Sequence, residues 1–245
     1  MESINAAEAL ANLIEDFASA NISAGERPLA AVKRFSGSVN WTSQEFMHRF
    51  LELVTSIRND VSQATHIPAT TAELAKDAVS DASQLVNLLF EAQNFQALTT
   101  HIRNRNIIRE LRFVGAFIDR TGNNDCFDAS KAQEFVEVIN GLIADVLNTL
   151  PNNALKQSIL VQLRTLRQIF EEIRYHGMAE AEASARMLLG TLLLRISEFK
   201  ELDEESKGVV QKVANFLKSE YRRVEPFVSI GSAALQVYGF LPEAK

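Results

Sequence analysis

Three features of the 245-residue sequence predict an all-α fold. Its ten glycines and five prolines fall between long stretches, whereas a strand-rich chain would place turns roughly every 8 to 12 residues. Apolar residues recur at intervals of three and four, and helix-start signals repeat along the chain. The expected architecture is a compact bundle of about eight or nine mostly antiparallel helices, with a degenerate helical-hairpin solenoid as the alternative. The length suits a single domain over 1–245, with a soft division near the turn at 121–128.

The opening stretch, MESINAAEALANLIEDFASA, lacks a basic region and carries Glu2, Glu8, Glu15 and Asp16, so it reads as a helix and not as a signal peptide. Thr42 with Glu45, and Thr70 with Glu73, have capping-box spacing, in which hydroxyl and carboxylate satisfy each other's backbone donors. A helix over 43–65 then carries Phe46, Phe50, Leu53, Ile57 and Val61 on one face, and Pro68 closes it. The next stripe uses Leu74, Ala78, Leu85 and Leu89, interrupted by Asp81, with a break at Asn94 or Phe95.

One helix is expected over 96–119, ending at the turn RTGNND, with Asp128 as the following cap. Ala132, Phe135, Ile139, Leu142, Val146 and Leu150 then keep a helical period up to Pro151, and Asn152 or Asn153 restarts the chain. Leu155, Ile159, Leu166, Phe170 and Ile173 follow, ended by His176 and Gly177. MLLGTLLLRI is apolar around most of its circumference, so it is either central or covered by another chain. DEES, from Asp203 to Ser206, starts a last helix bearing Val209, Val213, Phe216 and Val224.

Composition limits the function. Hydrophobic residues at 47% and charged residues at 23% are those of an ordinary soluble protein. A net charge of −6 argues against a surface that traps nucleic acid or anionic lipid. The single cysteine, Cys126, allows no intrachain disulfide and fits a reducing compartment, so a cytoplasmic location is expected. The apolar segment Phe227 to Leu241 is shorter than the roughly 20 residues that cross a bilayer.

No metal site or cofactor is expected. One cysteine and four histidines give no zinc spacing. Glu45 and His48 form half of a di-iron ExxH pattern without its second half, so they read as a cap and an ordinary helix residue. A calcium loop starting at Asp119 would need glycine and an acid where Asn124 and Ser130 stand. Phosphate-loop, dinucleotide and GxSxG patterns are absent, and His176 suits a helix end.

One surface stands out. On a continuous helix His101, Arg105, Arg109 and Arg112 form a narrow stripe opposite Ile107, Leu111, Val114 and Ile118, while Arg103 falls toward the apolar side. No acid lies three or four positions from Arg105, Arg109 or Arg112, so their counter-charges come from solvent, another helix or a partner. These four residues are the expected partner-binding site.

The leading functional reading is a non-catalytic soluble interaction protein, an adaptor, regulator or inhibitor that binds another protein through helix faces. One alternative is a membrane-active effector using the apolar C-terminal segment. The other is an enzyme whose site gathers dispersed acids such as Asp119, Asp125 and Asp128. A nucleic-acid partner is disfavoured by the acidity, and MLLGTLLL suggests self-association.

Overall fold

A computed structural model describes residues 4–63, 69–121 and 131–220, and these are all-α, with twelve helical segments and no strand among them. The chain divides into two compact units, Met1–Asn124 with Arg174–Gly177, and Asp125–Ile173 with Met178–Lys245. The boundary falls in the stretch 121–128, most of which lies outside the described residues.

The first unit is built around α1 (Ala6–Ser19), which packs on α3 (Ser43–Gln63) and α6 (Ile107–Thr121). Its sequence explains that position. Ala6, Ala7, Ala9, Leu10, Ala11, Leu13, Ile14 and Phe17 are all buried, and the small alanines let neighbouring helices approach on more than one side. Asn5 caps α1 by accepting from the backbone N–H groups of Ala7 and Glu8 at 3.0 and 3.1 Å. Its amide donates to the Gly115 carbonyl at 2.9 Å, which ties α1 to α6. A Cβ on Gly115 would lie 3.0 Å from the Asn5 Oδ1, so a larger residue there would press on the capping side chain.

α2 (Pro28–Ser38) starts with proline in its first turn, a signal that the sequence reading passed over. α3 (Ser43–Gln63) begins with the expected capping box: the Glu45 N–H donates to Thr42 Oγ1 at 3.1 Å and the Thr42 N–H to Glu45 Oε2 at 2.5 Å. Those bonds hold the Glu45 carboxyl below its usual range. α4 (Ala69–Glu91) starts within a residue of Thr70, and Pro68 lies outside the described residues. Its buried stripe is Ala75, Ala78, Val79, Ala82, Leu85 and Leu89. Leu74, expected in that stripe, is instead exposed, because tertiary packing selects the neighbouring face on which Ala75 and Val79 lie.

The expected helix over 96–119 is two helices, α5 (Phe95–Asn104) and α6 (Ile107–Thr121). Asn94 caps α5, accepting from the Ala97 N–H at 2.9 Å. Between them Asn106 takes the left-handed φ of 52°, which asparagine tolerates better than most residues. Phe17, Phe35, Phe46, Phe50 and Phe95 converge at the centre of the unit, with Phe17 5.3 Å from both Phe46 and Phe95.

Arg174–Gly177 also pack in this unit. Asp16 accepts from Arg174 Nη2 at 2.9 Å and from the Tyr175 hydroxyl at 2.8 Å, while Trp41 meets the rings of Tyr175 and His176 edge-on. His176 is buried at the end of the single turn α9 (Ile173–His176), and Gly177 follows with φ of 73° beside the Ile4 carbonyl.

In the second unit α7 (Ala132–Thr149) and α8 (Ala154–Glu171) form an antiparallel hairpin, and all six expected core positions of α7 and its cap are buried. Asn153 caps α8, and Lys156 Nζ donates to the Leu147 and Leu150 carbonyls at 2.7 and 2.9 Å, satisfying acceptors at the end of α7. The sequence NNALK therefore closes one helix and opens another. α10 (Met178–Leu194) packs on α8, a short α11 (Ile196–Lys200) follows, and α12 (Glu204–Glu220) returns antiparallel to α7. Asp203 caps α12 through the Ser206 N–H at 2.7 Å, which holds its carboxyl below the usual range. Val209, Val213 and Phe216 are buried, and Val224 lies outside the described residues.

One half-buried acid, Asp60, stands against the stability of the first unit. Burial raises the Asp60 carboxyl on α3 above its ordinary value. The folded state therefore holds that proton more tightly than the unfolded chain, so the stability present in acid is lost as pH rises through the folded value. Asp60→Asn is expected to raise the urea midpoint at neutral pH, with variant and parent converging as pH falls into the ordinary carboxylate range. A constant difference across that titration would refute the assignment.

Candidate functional site: a basic groove between α3 and α4

The four residues expected to form a partner-binding row are not one row. His101 lies half-buried on α5, and Arg105 ends that helix. The left-handed turn at Asn106 resets the helical phase before Arg109 and Arg112 on α6. A stripe counted at 100° per residue does not survive such a break. Arg112 is engaged by the neighbouring helix α1, 3.5 Å from Glu8 and 2.6 Å from Glu15. Arg105 and Arg109 are exposed; Arg105 lies near Glu110, whose carboxyl is raised by burial and by Asp81 and Asp77, with Arg105 opposing.

A groove of about 710 Å³ opens between α3 and α4. Small residues create it. On α4 Ala72, Ala75, Val79, Ser80 and Ser83 follow helical spacing, and their short side chains cannot fill the space beside Val61 and Ser62 of α3. Ala75 and Val79 form a buried apolar floor.

Two cations edge the groove from facing helices. Arg58 on α3 reaches across, its Nη2 donating to Ser83 Oγ at 2.9 Å, and that hydroxyl in turn donates to the Val79 carbonyl at 2.6 Å. The serine thereby fixes the guanidinium over the floor. Lys76 stands on α4, and Gln84 and Asn87 extend the polar wall. No carboxylate lines the groove among the described residues, and neither Arg58 nor Lys76 makes an ion pair with them. On a chain of net charge −6, the charged side chains that line the groove are both cations.

The sequence reading missed Arg58, Lys76 and Ser83. The available signal was the run of small residues from Ala72 to Ser83, which was read only for its buried stripe.

Glu45 is the cap described above, and His48 pairs with Glu52 at 3.1 Å. No group of three potential metal ligands occurs among the described residues, and no described helix is long and apolar enough to cross a membrane. Cys126, Asp125, Asp128 and the segment Phe227 to Leu241 lie outside the described residues, as does the side chain of Asp119.

The fold and the groove thus define an all-α chain of two helical units, one bearing an open cationic cleft. Comparison with protein-family models, with curated proteins and with solved structures finds no match.

Proposed function

We propose that the protein is a non-catalytic helical interaction protein, an adaptor, regulator or inhibitor, that receives an acidic segment of a partner protein in the α3–α4 groove. The observation that carries this reading is the pairing of Arg58 and Lys76 across a small-residue floor with no lining carboxylate. The face of α4 from Ala72 to Asn87 runs about 22 Å, long enough for four turns of a docked helix or a short extended segment. Arginine offers a carboxylate planar, multidentate donors, and Ser83 holds Arg58 before binding, which lowers the entropy lost on docking.

A photo-crosslinking residue at Ser80 or Gln84 tests the reading in cells. The expected result is a crosslink to an acidic stretch of one protein, weakened by salt and abolished by Arg58→Glu with Lys76→Glu, at unchanged helix content. A crosslink indifferent to both would overturn it. The same capture with Arg105→Gln, Arg109→Gln and Arg112→Gln separates the groove from the arginines of α5 and α6.

A further inference from the structure

The spacing of the side chains along the α3–α4 groove sets a pattern for what enters it. Lys76 stands seven residues before Ser83 on α4, and Ser83 is where the guanidinium of Arg58 is held, at 2.9 Å. Seven residues beyond Ser83 lies Phe90, 65% exposed, and seven residues before Arg58 on α3 lies Leu51, 48% exposed. Residues seven apart share a helix face. α3 and α4 pack on one another across the short connection at 64–68 and so run antiparallel, which puts Leu51 and Phe90 toward the same end of the hairpin. Three levels follow one another at steps of about 10 Å: the ammonium of Lys76, the guanidinium of Arg58 on Ser83, and the large apolar side chains of Phe90 and Leu51.

We propose that the acidic segment received here is a helix with two carboxylates seven positions apart, for Lys76 and Arg58, and a large apolar residue seven positions further, for Phe90 and Leu51. This rests on the groove reading and specifies its ligand. Charge complementarity fixes the two acids, since both cations are exposed, neither pairs with an acid among the described residues, and no described carboxylate lines the groove. The step length selects the helix. A helix laid along the groove has the same rise as α4 and returns the same face after seven residues, so all three side chains enter the cleft. An extended segment covers about 10 Å in three residues, and residues three apart on a strand point to opposite faces. Its second carboxylate would face solvent.

Fluorescence anisotropy of labelled peptides with the full chain tests the proposal. Each peptide has about four turns and is stapled into a helix on its outer face. One set carries two glutamates and a leucine at successive steps of seven, in both chain orders; a second set of identical composition moves the middle glutamate by two positions, to the opposite face. In one of the two orders the first set is expected to bind about tenfold or more tighter than its shifted counterpart at low salt. Arg58→Glu should abolish that advantage, and lysine in place of the middle glutamate should restore it. Lys76→Glu should respond instead to lysine in place of the terminal glutamate. Leu51→Ser with Phe90→Ser, at unchanged helix content, should weaken the leucine peptide and leave the same peptide with alanine unaffected. Equal binding of in-register and shifted peptides, or no binding by either up to millimolar concentration, would overturn the helical register. The groove reading fails by a different result: peptides of both sets binding without regard to Arg58→Glu and Lys76→Glu.

Discussion

Phe17→Ala is expected to cost about 3–5 kcal/mol of unfolding free energy, read from urea denaturation at neutral pH. Phe17 is 4% exposed and lies where α1, α2, α3 and α5 meet: its centroid is 5.5 Å from Phe35, 5.3 Å from Phe46 and 5.3 Å from Phe95. Removing it leaves a cavity walled by rings too stiff to close over it, and it also deletes three edge or tilted aromatic contacts. Phe17→Leu, which keeps most of the volume, should recover more than half of the loss. A loss below about 1 kcal/mol for Phe17→Ala would show that the ring cluster is not the centre of the first unit.

The second large effect is expected from Leu163→Ala in α8, at about 2–5 kcal/mol. α8 packs on both α7 and α10, and Leu163 is fully buried, so the cavity cannot be relieved by shifting the helix toward one neighbour without opening a gap at the other. Val161→Ala supplies the control. It stands on the same helix but is 56% exposed, so its effect should stay within about 0.5 kcal/mol. Equal effects at the two positions would contradict the burial pattern.

Legibility in the sequence followed the range of the interaction. Ala132, Phe135, Ile139, Leu142, Val146 and Leu150 were readable as a buried stripe because helical spacing alone sets which side chains share a face. The cap at Thr42, the break at Asn94, the restart at Asn153 and the acidic start at Asp203 were readable because each acts on backbone three residues away. Asn106 marks where this kind of reasoning stopped. Periodicity carried the helix through 96–119, although two asparagines, Asn104 and Asn106, signalled a tolerated left-handed turn. The arginine row depended on that continuity, so one residue's φ removed its geometry.

The groove was less legible still. Small residues on α4 mean close packing if a neighbour fills the space and a cleft if it does not, and nothing in residues 72 to 83 states which neighbour is present. The counter-charge of Arg112 posed the same problem: no acid lies near it in sequence, yet Glu8 and Glu15 lie roughly a hundred positions away and beside it in space.

The amino-acid order by itself determined that this chain is helical, where most helices start and stop, and which stripe of each is oily. Those outcomes depend on steric and hydrogen-bonding preferences acting within one or two turns. Tertiary structure alone decided which cations are neutralised, where short side chains leave a cleft, and which apolar side chains of α3 and α4 stay uncovered. Each of those depends on which distant segment comes to lie alongside, a matter fixed by the burial of the whole core and by no local pattern.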